Sequence, residues 1–243
     1  MQAQARPTGA RRERAYAIGD IHGRVDLFDQ LLGVIRADSE GRPPATTRII
    51  LLGDLIDRGP ASSEMVRRAM RYTRASPRMV VLMGNHEAMM LQALEGDLRA
   101  MQAWLSFGGD ATLRSWGASE TVLREGSPAE IGQAARALVS EAELNWLAER
   151  PLSYRWGDYL FVHAGVKPGA PLHRQEAADL LWIGDEFLTC TDHHGAVVVH
   201  GHTINEAGPE LLHNRIGIDT GAYRTGRLTA LGLDGLQAWT LTT

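Results

Sequence analysis

At 243 residues and 26.6 kDa, with 44% hydrophobic and 22% charged residues, the chain fits one large α/β domain and is too apolar for a disordered protein. A formal net charge of -4 withholds the overall basic field on which non-specific nucleic-acid binding relies, so a nucleic-acid duplex is not an expected partner. The single cysteine, Cys190, excludes an internal disulfide and a multi-cysteine zinc site and suits a cytoplasmic protein, and no stretch reaches the roughly 20 apolar residues of a membrane span.

In chain order, the N-terminus carries Arg6, Arg11, Arg12 and Arg14, expected to stay solvated, with no apolar stretch of signal-peptide length behind them, and residues 1–13 read as a solvated tail ahead of one domain over 14–243. Short apolar runs ending in small polar motifs follow: AYAIGD at 15–20, IILLGD at 49–54 and MVVLMGN at 79–85. Each reads as a buried strand. Between them, Val25, Phe28, Leu31, Leu32 and Ile35 share one helical face, and Met65, Val66, Ala69 and Met70 share another. Strand, helix, strand, helix, strand predicts parallel pairing through right-handed crossovers, which gathers the strand-end motifs along one edge.

Residues from about 86 to 150 read as a helical insertion, with capping-box spacing at Ser127 and Glu130 and again at Ser140 and Glu143. Beyond residue 151 the pattern returns to short strands, at 159–163, 196–200, 215–219, 228–233 and 236–240. The predicted fold is therefore α/β: a four-layer αββα sandwich of two mixed sheets flanked by helices.

The strand ends deliver Asp20, His22, Asp54, Asn85, His86, His163 and His202 toward one place. Carboxylate, imidazole and amide oxygen without thiolate suit Mn²⁺, Fe or Zn²⁺, and a carboxylate can bridge two ions. Taken singly, GDIHG reads as a hydrogen-bonded turn, GNHE as a helix start and His163 as a core histidine. The ordered set GDIHG, GDLIDRG, GNHE, HAG and GHT, each closing an apolar run, is what points to a metal site. His173, His193, His194 and His213 lack such context, and His200 fits a core residue better than a supporting one. Asp219 either braces the site or caps a turn.

Those five motifs resemble the phosphoprotein phosphatase branch of the calcineurin-like metallophosphoesterases, and more closely its bacterial and phage members, from about residue 14 to 235. The resemblance implies that two divalent ions, Mn²⁺ foremost, are held by Asp20 and His22 on one side and Asn85, His163 and His202 on the other, with Asp54 bridging. It implies that Arg58, Asn85 and His86 bind the substrate phosphate, and that His86 protonates the leaving group with Asp57 orienting it. The residues agree: an arginine fork suits phosphate oxygens, and an imidazole titrates near neutral pH.

The expected function is metal-dependent phosphomonoester hydrolysis by an activated water, on phosphoserine or phosphothreonine in a protein or peptide, and also on phosphotyrosine. The alternatives are a symmetrical dinucleotide polyphosphate hydrolase acting on diadenosine tetraphosphate and a non-catalytic metal scaffold that binds phosphorylated partners. One departure stands out. Where relatives place an arginine after a Trp-Ile or Trp-Asn pair, this chain reads LLWIGDEFL, with Gly184 at that position; Lys167, Arg174, Arg215 and Arg224 are the candidates to replace it.

Overall fold

The computed structural model describes Thr8, Gly9 and residues 13–243. The expectation of a solvated tail falls mostly outside them, but three of its residues are held. Thr8 N donates to the Asp158 carboxylate at 2.8 Å, Gly9 N donates to Gly235 O at 3.0 Å, and Glu13 opens the first strand.

Three strands and two helices alternate first: β1 (Glu13–Ile18), α1 (Val25–Glu40), β2 (Thr46–Leu51), α2 (Ser62–Ala75) and β3 (Met79–Val81). Helices then dominate: α3 (Asn85–Leu94), α4 (Leu98–Trp104), α5 (Asp110–Ser115), α6 (Glu120–Glu125), α7 (Pro128–Leu138) and α8 (Glu141–Ala148), with a π turn at Leu105–Gly109 between α4 and α5. The chain continues through β4 (Ser153–Trp156), β5 (Tyr159–Val162), α9 (Ala177–Trp182), α10 (Asp185–Leu188), β6 (Val197–His200), β7 (Glu210–Leu211), β8 (Arg215–Gly217), α11 (Ala222–Thr225), β9 (Thr229–Asp234) and β10 (Gln237–Thr242). Among the described residues, no helix is long and apolar enough to cross a membrane.

Two five-stranded sheets result, ordered β10-β9-β1-β2-β3 and β4-β5-β6-β8-β7. Both are mixed: β1, β2 and β3 run parallel, as do β5, β6 and β8, while β9, β10, β4 and β7 pair antiparallel. Alternation along each strand makes the layers. Ala15 and Ala17 of β1 face Val197 and Val199 of β6 in a core between the sheets, whereas Tyr16 and Ile18 join a second core beneath α1 and α2. Val198 turns the other way, into a third core with Leu180 and Phe187 of α9 and α10. The four-layer arrangement is therefore as expected.

The helical faces agree as well, with Phe28, Leu31 and Ile35 of α1 and Met65, Val66 and Ala69 of α2 buried. Both capping boxes form: the Glu130 carboxylate accepts from Ser127 N at 2.8 Å, and that of Glu143 from Ser140 N at 2.9 Å. Glu143 also accepts from Arg67 Nε of α2 at 2.8 Å, tying the helical stretch to the first sheet's helices. Strands β4 and β7 were not anticipated. Both lie at sheet edges, where β4 buries only Trp156 and β7 buries neither residue, so neither shows the alternation by which a strand is read.

Candidate metal centre

The carboxyl ends of β1, β2 and β3 meet those of β5 and β6, and the loops leaving them are tied together by the backbone. The N–H groups of Ile21 and His22 both donate to Asp54 O, at 3.1 and 2.8 Å, and Gly201 N donates to His163 O at 2.8 Å. The turns are tight enough to force uncommon dihedrals. His22, Asp54, Asp57, Arg58 and His202 are the non-glycine residues with positive φ among those described, and all five belong to the predicted site. Gly53 is required for a related reason: its φ is +98° and a Cβ there would lie 2.5 Å from Gly84 N.

Two groups of donors converge on Asp54. His22, Asp54 and His86 form one; Asp54, His163 and His202 form the other, and within each group the donor atoms lie inside 4.8 Å of one another. The Asp54 carboxylate stands 3.6 Å from His22 Nε2, 3.8 Å from His86 Nε2 and 3.4 Å from His163 Nε2. These spacings are long for hydrogen bonds and close to the roughly 3.4 Å that separates two donors on one tetrahedral ion with bonds near 2.1 Å. Second partners fix the rings: His22 Nδ1 donates to Ile56 O at 2.7 Å and His163 Nδ1 to Leu52 O at 3.0 Å, which leaves each Nε2 lone pair pointing inward. Burial lowers His22 to about 3 and His202 to about 4, so both imidazoles are neutral and able to ligate.

A cation fits these donors because acceptors face acceptors. The Asn85 side-chain oxygen lies 2.7 Å from His163 Nε2, 3.2 Å from His202 Nδ1 and 3.2 Å from both Asp54 oxygens. Turning the amide satisfies these contacts within the protein; with the oxygen inward, it joins the carboxylate and imidazole donors that a cation would take. Burial opposes ionisation of Asp54, yet its carboxyl lies below the usual range, favoured in its charged form by His86, the neighbouring imidazole whose own pKa is raised, and by the N–H of His86, which donates to Asp54 Oδ1 at 3.1 Å. Asp20 is displaced the other way, by burial and then by the charges of Asp219 and Asp54, and burial raises Asp219 to about 6. Two buried carboxyls side by side are a second concentration of negative charge suited to a divalent ion.

His86 is placed differently from the other imidazoles. Its Nδ1 sits 2.5 Å from Asp57 Oδ2, and although burial works against protonation, the charge of Asp54 and the bond to Asp57 raise its pKa above the ordinary value. Asp57 is itself gripped by Trp104 Nε1 at 2.8 Å and Thr112 Oγ1 at 2.5 Å, both from the helical stretch. Arg58 Nη1 donates to His22 Nε2 at 2.7 Å, and its guanidinium lies 4.7 Å from the Tyr223 ring centre. The dyad and the arginine thus face the same ground as the metal donors.

All the predicted residues reach the site, with two changes of neighbour. Asp20 lies outside both close donor groups, where its oxygens accept from His202 N at 3.1 and 3.3 Å, and His86, expected only as an acid, stands inside the first group. His200 is a core residue, buried against Phe187 with Nδ1 donating to Gly201 O at 3.1 Å. Arg215 is engaged by Cys190 O and Glu210, and Arg224 by Glu206; Lys167 and Arg174 are exposed. Glu87 was missed. Its carboxylate accepts from the backbone of Asp54 and Gly84 at 2.9 Å and of Leu55 at 2.8 Å, so it fastens the Asp54 loop to the start of α3. A glutamate three residues after Gly84 carries the capping-box spacing that could have found it.

Comparison with known proteins places this centre. Residues 14–217 match the calcineurin-like phosphoesterase family model. Over 153 residues the chain is 31% identical to the symmetrical bis(5′-nucleosyl)-tetraphosphatase of Dechloromonas aromatica, covering 63% of this chain and 44% of that one. Other curated relatives, at 28–31% identity, carry the same name. The chain thus spans about half the length of the curated relatives it matches. A crystal structure provisionally assigned as a diadenosine tetraphosphatase superposes with a TM-score of 0.65 at 19% identity over 98% of both chains. A serine/threonine protein phosphatase of Saccharomyces cerevisiae gives 0.58 at 16% identity, over 96% of this chain and 80% of that one, and so shares the fold alone.

These findings correct the expected bacterial or phage protein phosphatase and its serine/threonine specificity, because the curated relatives are named for dinucleotide tetraphosphates. The motifs behind that expectation build the donor cluster, and they do not encode the substrate. The donor geometry and the family match agree at the coarser level: the chain belongs to the calcineurin-like phosphoesterase family, whose members are hydrolases with a dinuclear divalent metal centre.

Proposed function

We propose that the chain hydrolyses bis(5′-nucleosyl) tetraphosphates at the middle of the polyphosphate, releasing two nucleoside diphosphates. The observation that carries this reading is the name shared by the curated relatives, set on a donor cluster suited to phosphate chemistry. Asp20, His22, Asp54, Asn85, His163 and His202 would hold a pair of divalent ions, and Mn²⁺ suits this oxygen and nitrogen set. When bound, such a pair supplies Lewis-acid stabilisation of phosphoryl charge and a nucleophile at neutral pH.

The remaining roles belong to the chain itself. Arg58 turns from His22 to a phosphate oxygen, while Tyr223 supports its guanidinium. His86, with Nδ1 fastened to Asp57, presents Nε2 to the site and delivers a proton to the departing oxygen. Asp57 holds that ring in one orientation, and Trp104 and Thr112 hold Asp57.

The test is a substrate panel with Mn²⁺ present: diadenosine tetraphosphate, a set of phosphopeptides and an aryl phosphate. Highest kcat/KM on the dinucleotide, with ADP as the nucleotide product, is the expected result. Turnover of phosphopeptides without turnover of the dinucleotide would overturn the proposal.

A further inference from the structure

Six large apolar side chains are markedly exposed among the described residues: Leu98, Phe107, Trp182, Leu211, Leu212 and Leu236. The two aromatic ones both border the metal centre. Phe107 meets the His86 ring edge-on at 6.4 Å, and Trp182 meets the His202 ring edge-on at 6.1 Å. They stand at opposite ends of the cluster, since His86 belongs to one donor group and His202 to the other, with Asp54 between. Tyr223, the third aromatic neighbour, is half-buried and already engaged by Arg58 and by His22 at 5.2 Å.

Backbone design holds both rings outward. Phe107 rides the π turn, which is anchored where Gly108, at φ +103°, accepts from Arg58 N at 3.2 Å; a Cβ on Gly108 would lie 2.9 Å from Arg58. Trp182 closes α9 between Leu181 and Ile183, and because both neighbours are buried the indole between them is turned to solvent. Phe107 and Trp182 are 49% and 44% exposed, so each offers ring surface to a ligand that lies on the donor cluster.

We infer that Phe107 and Trp182 are stacking platforms for the two nucleobases of the substrate. The inference rests on the proposed dinucleotide reading. A ligand whose polyphosphate lies on the metal donors and Arg58 extends away on both sides, and one with a nucleoside at each end places a flat π-face near both rings. Phe107 is the platform on the leaving-group side, because it flanks His86, the proton donor. Trp182 receives the base of the other half.

The experiment is steady-state kinetics on diadenosine tetraphosphate with Trp182→Ala, Trp182→Phe, Phe107→Ala and Phe107→Tyr, beside inhibition constants for ADP and for inorganic phosphate. Each alanine variant should raise KM for the dinucleotide about tenfold and weaken ADP to match, the scale of one lost base stack, with little change in kcat. The aromatic replacements should restore most of the loss, and phosphate inhibition should stay at the wild-type value. Unchanged KM and ADP inhibition in both alanine variants of an active enzyme would overturn the inference while leaving the proposed function standing. Equal weakening of phosphate would also overturn it, by showing that the rings merely shape the centre. A wild-type protein that does not turn over the dinucleotide would sink the proposed function and the platforms with it.

Discussion

The strand-end loops and the helical stretch between β3 and β4 serve one site by different physical means. In the loops, donors follow their strands within a few residues, and five non-glycine residues are held at positive φ, a conformation that costs of order 1–3 kcal/mol each. That cost is offset by converging backbone bonds, such as those from the N–H groups of Asp54, Leu55 and Gly84 to Glu87, which tie the end of β2 to the start of α3. In the helical stretch the contacts come from within helices, and Trp104 and Thr112 reach Asp57 across 47 and 55 residues of sequence. The loops bring the donor cluster together; the helices orient the His86–Asp57 pair proposed as proton donor and furnish one of the exposed aromatic rings. Changes in the loops should therefore act on metal and chemistry together, and changes in the helices on aim and selectivity.

The largest effect is expected from Asp54→Asn, which weakens both donor groups at once. Activity should fall by about 10³ or more and bound metal should drop at both positions, whereas Asp20→Asn should spare one. Metal analysis beside kinetics decides this, and two ions retained at full affinity in Asp54→Asn would remove the bridging role. Chelation should abolish activity and Mn²⁺ should restore it.

His86→Asn comes next, with a loss of about 10² to 10⁴ in kcat on aliphatic phosphate esters and a smaller loss on an activated aryl ester that needs no proton. The sign of the pH effect follows from the acid's role. The acid must be protonated, so the rate falls as pH rises through its pKa, and the raised pKa of His86 places that limb above the usual imidazole range. Asp57→Asn removes one of the raising interactions and should move the limb to lower pH. Equal losses on both esters would assign His86 to ligation, a role that its place in the first donor group allows.

The helical side of the comparison is sharpened by Thr112→Val, an isosteric change that removes the hydroxyl donating to Asp57 Oδ1 while leaving Ser62 Oγ to accept from Asp57 N at 3.1 Å. A loss of about tenfold on poor leaving groups is expected, the scale of one hydrogen bond to a charged group. In a His86→Asn background the same change should cost almost nothing, because its effect runs through Asp57 and His86. Additive losses would instead make Thr112 a packing residue.

What the sequence disclosed divides along the same line. Asp20, His22, Asp54, Asn85, His86, His163 and His202 were legible because each follows an apolar run whose strand character fixes where the residue emerges. The two sheets were legible from those runs, except β4 and β7, whose edge positions leave them without alternation. Trp104 and Thr112 were not legible: nothing near them in sequence signals Asp57, and only the packing of α4 and α5 on the β2 loop brings them together. Substrate choice was illegible for the same reason. Phe107 and Trp182, the proposed platforms, are single aromatic residues in the π turn and at the end of α9, and only their exposure beside the cluster singles them out.

The smallest expected effect, and the only gain, concerns Gly184. Two residues after Trp182, it belongs to the loop that borders His202, at the position where relatives are expected to carry a second phosphate-binding arginine. A Cβ there would meet nothing within 4 Å beyond the adjoining residues, but φ -122° with ψ -117° lies outside the helical and extended regions, so the loop must adjust its backbone to take a side chain and the thermal midpoint is followed beside the kinetics. A guanidinium at this position adds a charge-assisted hydrogen bond to a polyphosphate oxygen, worth roughly 1.5–3 kcal/mol when buried and less at this half-exposed site after the cost of ordering a long side chain. Gly184→Arg should therefore raise kcat/KM on the dinucleotide about three- to tenfold, and the gain should shrink with added salt because part of it is electrostatic attraction. A base-free ligand such as inorganic phosphate should gain as well, which separates this effect from stacking on Trp182. An unchanged or lower kcat/KM in a variant with the wild-type thermal midpoint would mean that the polyphosphate passes out of reach of this loop, leaving Arg58 as the arginine that the centre uses.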